Sequence, residues 1–146
     1  MLDLAVLRVV LDTSVLTAAL RSRLGASFIL LRAVRSGHLV PLATPALFLE
    51  YEEVLKRAEQ RAVSGLTLAD VDHLLGVLAV AVEPVDVHVT WRPQLKDPDD
   101  ELVFETAING RADALVTYNV RDFFDAAPRF GLRIARPAEL LEELES

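Results

Sequence analysis

The sequence predicts an α/β protein: a three-layer α/β/α sandwich, one domain over residues 1–146, with a central, mostly parallel sheet of about five strands. Short apolar, β-prone runs alternate with helical segments along the chain, the order that produces parallel strands joined by crossover helices. Two of those runs, before Asp12 and before Asn119, end abruptly in polar residues, as a strand does on leaving a buried sheet. At 146 residues and 52% hydrophobic content, the chain is long enough for one proper core.

Residues 7–11, LRVVL, form a β-branched run stopped by Asp-Thr-Ser, the signature of a buried first strand. Helices are expected over 15–20 and 27–36, broken near Gly25, with Gly37 as the second stop. HLVPLAT (38–44) follows as a strand in which Pro41 implies a position near an edge. Thr44-Pro45 opens the next helix, since Thr caps well and Pro is tolerated in the first turn. That helix carries Leu47, Glu50, Tyr51, Val54 and Leu55 to about Arg61. Beyond Gly65, Thr67-Leu68-Ala69-Asp70 resembles a capping box for a helix to about Val80. AVEPVDVHVT (81–90) is β-prone but interrupted by Pro84. DPDDELVFETAING then supplies a loop, an acidic cap, a helix from Glu101 and a Gly stop. ADALVT is a strand, VRDFFD a short helix, FGLRIA a last strand and PAELLEELES a closing helix.

Composition narrows the function. No Cys is present, which removes disulfides, thiol catalysis and thiolate metal sites and makes a reducing cytoplasm the expected compartment. There is no apolar run of membrane-spanning length, roughly 18 residues, and the N-terminus MLDLAVLRVV is acidic early and lacks the basic region followed by a cleavage site of a signal peptide. A net charge of −7 argues against broad electrostatic binding of nucleic acid, although carboxylates that hold divalent ions account for such charge without excluding a nuclease. Cations are 13 Arg against 2 Lys; Arg suits bidentate phosphate contact, and codon usage produces the same bias. No Gly-rich phosphate loop is found.

Four acidic stations remain: Asp12, Glu50, the cluster Asp97-Pro98-Asp99-Asp100, and Asp122. Carboxyl ends of parallel strands form the ligand crevice of open α/β sheets, and an all-oxygen donor set suits a hard cation such as Mg²⁺ or Mn²⁺. Each acid also has an ordinary reading. Asp12 and Asp122 sit where an Asp commonly caps a helix. One of Asp97, Asp99 and Asp100 must cap the following helix, where the dipole favours anions. Glu50 lies among Ala46, Leu47, Phe48 and Leu49, so it either snorkels or is held for a purpose. Asp100 heads the helix whose Phe104, Ala107 and Ile108 face the core, which points it along the strand ends. Asp97 and Asp99 fall to turn-making, with Asp97 the one that supports the site. Thr13, Ser14, Thr117 and Asn119 stand beside the acids as supporting hydroxyls and a neutral oxygen. His38, His73 and His88 share no spacing and are expected to be structural or surface residues. Trp91 is expected to pack, and Arg21, Arg23, Arg32 and Arg35 to lie on solvated helix faces.

Taken in order, LDTSVL, the helix with Glu50, DPDD followed by LVFETA, and LVTYNVRDF resemble the PIN domain, especially the VapC-like toxin ribonucleases of toxin–antitoxin pairs. The resemblance runs from about Arg8 to Ala138. It places Asp12, Glu50, Asp100 and Asp122 at the family's acidic positions, with Thr117, Asn119 and Phe123 matching a Thr-x-Asn variant followed by Asp-Phe. Asn119 stands where many members carry Asp, and Ser14 where Asn is frequent. The resemblance implies Mg²⁺ or Mn²⁺ dependence, cleavage of single-stranded RNA as a type II toxin, a cognate antitoxin and a homodimer. Two alternatives stand beside it: a non-catalytic PIN scaffold that binds a partner or RNA, and a receiver-like phosphoacceptor domain. The latter needs a Lys after a late strand, and Lys56 and Lys96 are poorly placed for that.

Overall fold

A computed structural model describes residues 6–90 and 95–145; Trp91 lies outside them. Its centre is the strand β1 (Leu7–Leu11), in which Val9, Val10 and Leu11 are consecutively buried. Three buried side chains in a row require cover on both faces, which is the pattern of an interior parallel strand. Four further strands complete a five-stranded sheet: β2 (Leu39–Ala43), β3 (Glu83–Pro84), β4 (Ala114–Val116) and β5 (Ile134–Ala135). Their order is β3-β2-β1-β4-β5, and every pairing is parallel. The chain builds outward from β1 to β2 and β3, then returns to add β4 and β5 on the other side. The order therefore reverses between β1 and β4, and a crevice opens outside their carboxyl ends.

Helices α1 (Thr13–Arg21) and α2 (Ala26–Arg35) connect β1 to β2. Helices α3 (Pro45–Leu55), α4 (Ala58–Ser64) and α5 (Leu68–Ala81) connect β2 to β3. Helix α6 (Pro98–Gly110) leads into β4, and α7 (Pro137–Glu145) closes the chain. Among the described residues no single helix is long and apolar enough to cross a membrane. The sheet faces and the buried stripes of the helices share one core, with Leu16, Leu30, Leu42, Leu47, Leu78, Leu115 and Leu140 essentially inaccessible.

Several elements differ from the sequence expectation for identifiable reasons. The helix expected from 45 to about 61 breaks into α3 and α4 because Arg57 leaves the helical conformation, at φ −59° and ψ 137°; Lys56, just past the end of the first piece, pairs with Glu52 and Asp72. Pro41 lies in the second strand from the edge, and the ladder to β3 begins only after it, at Leu42. Locally the proline faces one strand, so its missing N–H costs little. The capping box at Thr67 and Asp70 forms as expected, with Asp70 N–H donating to Thr67 Oγ1 at 3.1 Å and Thr67 N–H to Asp70 Oδ2 at 2.9 Å.

The β-prone stretch 81–90 gives only two residues of strand. Beyond Val85, which donates to Ala43 O, the chain leaves the sheet and runs along α6. There the Asn109 side chain accepts from His88 N and Val89 N and donates to Val89 O, supplying the bonds a strand partner would have given. Glu105 and Glu101, one and two turns earlier, accept from Thr90 Oγ1 and Leu95 N. The end of α6 also departs from expectation. Gly110 is the last helical residue and Arg111 takes the left-handed conformation, at φ 50°. The glycine is there for space, since a Cβ at 110 would sit 2.9 Å from Val85 Cγ2 and 3.1 Å from Leu42 Cδ1. At the amino end of the sheet, Arg8 ties Glu83 to the carbonyls of Gly110 and Arg111.

Candidate active site

Asp12 follows β1 and occupies the cap position of α1, yet its carboxylate makes no capping bond. Instead Oδ2 accepts from Ser14 Oγ at 3.0 Å and from Thr117 Oγ1 at 2.7 Å. Thr117 follows β4 directly, so this bond spans the point where the strand order reverses, alongside Asp12 N–H donating to Val116 O. The ordinary reading of Asp12 as a helix cap is therefore excluded. A carboxylate only 7% exposed, with one oxygen held by two hydroxyls, has been fixed in orientation.

Glu50 comes to the same place from α3. Thr13 Oγ1 donates to its Oε2 at 3.0 Å, so the two hydroxyls after Asp12 divide their work: Ser14 orients Asp12, and Thr13 orients Glu50. One residue along, Tyr51 is fully buried and donates its hydroxyl to Leu11 O. This locks α3 to the end of β1, and burial next to the negative charge of Asp12 and Glu50 pushes the phenol pKa up.

The Asp cluster separates into distinct roles. Asp97 caps α6 by accepting from Asp99 N–H at 2.9 Å; the helix thus starts at Pro98, three residues before the Glu101 start expected from sequence. Asp100, in the first turn, lies within electrostatic reach of Asp12, Asp122, Asp97 and Asp99. Desolvation first, and those charges second, raise its pKa to about 7. Glu50 is also raised to about 7, by desolvation and then by its hydrogen bond with Asp99, whereas the Thr13 bond pulls the other way. Asp99 was expected to do no more than shape the turn; the structure corrects this by placing its carboxyl against that of Glu50. Residues adjacent in a first helical turn point about 100° apart, and only the packing of α3 against α6 decides which of them meets Glu50.

Asp122 belongs to a single 3₁₀ turn (Val120–Phe123) anchored by the buried Phe123. It is exposed and caps nothing with its side chain. Asn119 supports this corner through its backbone: its N–H donates to Thr117 Oγ1 at 2.9 Å and its carbonyl accepts from Asp122 N at 3.0 Å. The neutral side-chain oxygen expected there is thus not the group that makes the contact. His38, His73 and His88 are exposed, as are Arg21, Arg23, Arg32 and Arg35, which agrees with surface roles. Lys56 is occupied by Glu52 and Asp72, which removes one of the two lysines from the receiver-like alternative.

Asp12, Glu50, Asp99, Asp100 and Asp122 thus share one crevice. Burial first, and the neighbouring acids second, raise Glu50 and Asp100 to about 7, and a bound cation relieves the repulsive part of that cost. The donor set, all carboxylate oxygen, is that of a hard divalent ion. Among the described residues, no three Asp, Glu or His side chains stand in ready coordinating geometry, so the donors fit in chemistry and proximity without forming a preset cage.

Comparisons agree with this fold. The family model of the PIN domain matches residues 8–121, a span that includes Asp12, Glu50, Asp100, Thr117 and Asn119. Asp122 lies one residue beyond it. Among solved structures, the chain is similar to one in a VapBC2 complex from Rickettsia felis, bound to a DNA fragment from their promoter. The likeness has a TM-score of 0.59 at 13% identity and covers 88% of this chain and 98% of that one; it shows a shared fold. No curated protein matches the sequence.

Proposed function

Because the chain belongs to the PIN-domain family, we propose that it is a divalent-metal-dependent endoribonuclease, the toxin of a type II toxin–antitoxin pair. The observation that carries the reading is the bond between Thr117 and Asp12 across the reversal of strand order, with Glu50 and Asp100 raised to about 7 beside it. Carboxylates that are desolvated and repel one another cost stability, a cost met at sites where charge is needed when cation and phosphate arrive.

In this reading Asp12, Asp100 and Asp122 hold Mg²⁺ or Mn²⁺, and Glu50 holds it with them or orients the attacking water. The cation supplies Lewis acidity, which makes water a nucleophile near neutral pH and offsets charge on the phosphodiester. The protein's own residues do the remaining work. Ser14 and Thr117 fix Asp12 through one oxygen, Oδ2. Thr13 holds Glu50 through its Oε2, and burial followed by the Asp99 bond raises Glu50 to about 7, where a group both accepts and returns a proton efficiently. Asp97 holds the first turn of α6 and with it Asp100. A cognate antitoxin protein belongs to the same reading, since the fold is shared with a chain of a VapBC2 complex; a homodimer and a cytoplasmic compartment are part of the proposal.

The test is direct. Purified protein is incubated with structured and unstructured RNAs in Mg²⁺, in Mn²⁺ and in EDTA, and products are resolved on gels. Cleavage that depends on the metal supports the reading. Cleavage at the same rate in EDTA, or none with any metal, refutes it.

A further inference from the structure

Tyr118 is turned the opposite way from most surface tyrosines. Such a residue ordinarily keeps its ring inside and its hydroxyl in water. Here the hydroxyl lies 2.5 Å from Ser27 Oγ, and Ser27 is 1% exposed in the first turn of α2, while Tyr118 as a whole is 43% exposed. The polar end is spent inward, so the exposed portion is the apolar ring. That ring stands two residues past β4 and is tied to α2 through its hydroxyl. Its chain neighbours are Thr117, which grips Asp12, and Asn119, which braces Thr117. A rigid aromatic surface therefore stands on the lip of the carboxylate crevice.

What could use it follows from charge. A molecule of net −7 has little general attraction for a polyanion, so RNA affinity at this site needs a contribution independent of phosphate charge. Unpaired bases beside the scissile linkage offer one, because every base has a π face that stacks on an aromatic ring with little regard for sequence. A ring already immobilised loses little side-chain entropy on binding. We propose that Tyr118 is a base-stacking platform, pinned by Ser27, that receives an unpaired base of single-stranded RNA next to the phosphate engaged by the carboxylates. The proposal rests on the ribonuclease reading above.

Two labelled oligomers of equal length and charge test it by fluorescence anisotropy: an unstructured RNA, and the same sugar-phosphate chain without bases. Binding is measured with Ca²⁺ present, and gels verify that both oligomers stay intact. Wild type is expected to prefer the base-bearing oligomer, Tyr118→Ala to lose roughly 5- to 140-fold of affinity for it, and Tyr118→Phe to keep most of that preference. Affinity for the abasic chain is expected to be the same in all three proteins. Unchanged RNA binding by Tyr118→Ala overturns the platform and assigns the exposed ring to a protein-facing surface, with the nuclease reading intact. An equal loss on both oligomers also overturns it, because that pattern marks a structural role. If wild type binds neither oligomer and cuts no RNA, the ribonuclease reading itself falls and takes the platform with it.

Discussion

Replacing Asp100 by Asn is expected to stabilise the cation-free protein at pH 8 and to give only about a third of that gain at pH 5. Asp100 is half-buried at the start of α6, and its pKa of about 7 reflects desolvation first, then the charges of Asp12, Asp122, Asp97 and Asp99. An unfolded Asp titrates near 3.9. Between those two values the native state binds more protons than the unfolded chain, so stability falls as pH rises through the window, and the cost is fully present above about pH 7. Solvent screening at so open a side chain limits that cost to roughly 1–2 kcal/mol. Asn removes it, and in a chain of this size that corresponds to about 2–8 °C in Tm. The assay is thermal unfolding by circular dichroism in EDTA at both pH values. Saturating Mg²⁺ is expected to reverse the order, because a ligand at about 100 times its Kd adds about 2.7 kcal/mol to the protein that binds it. A gain of equal size at pH 5 and pH 8, or a loss at pH 8, would refute the electrostatic account of the crevice.

Other consequences are more local. Thr117→Val keeps volume but leaves Asp12 with Ser14 alone; cleavage is expected to fall about 10- to 100-fold, with metal affinity falling alongside it in calorimetry. Gly110→Ala forces a Cβ against Val85 and Leu42, and the urea midpoint is expected to drop by the equivalent of about 1–3 kcal/mol with m unchanged; a higher midpoint would mean that helix propensity outweighs the clash. Asn109→Ala removes the bonds to His88 and Val89, so hydrogen exchange at those two amides is expected to accelerate while β1 amides stay protected. Equal acceleration in β1 would show that the segment is part of the global unfolding unit instead.

What the sequence made legible was what local rules decide. The run LRVVL ending in Asp-Thr-Ser located both β1 and Asp12, because three apolar residues followed by polar ones have few other solutions in a parallel sheet. The capping box at Thr67 and the proline at the start of α3 follow from backbone chemistry within a single turn. Features set by packing between distant elements were not legible. Stretch 81–90 has strand propensity throughout, yet its bonding partner beyond Val85 is a side chain on α6. Likewise, choosing Asp99 as the neighbour of Glu50 required the rotation of α6 against α3. The division of labour between Thr13 and Ser14 was hidden for the same reason, since either hydroxyl reaches either acid on paper.

The central claim is that these carboxylates perform hydrolysis, and Asp12→Asn addresses it most directly. The substitution preserves size and the capacity to accept from Ser14 and Thr117 while removing the charge. Wild type and variant are compared in one RNA-cleavage time course in Mg²⁺, with matched circular dichroism spectra. The account predicts a rate loss greater than about 100-fold, beyond the range for removing a residue that only supports a ligand. A variant that folds and cuts RNA at the wild-type rate would contradict it.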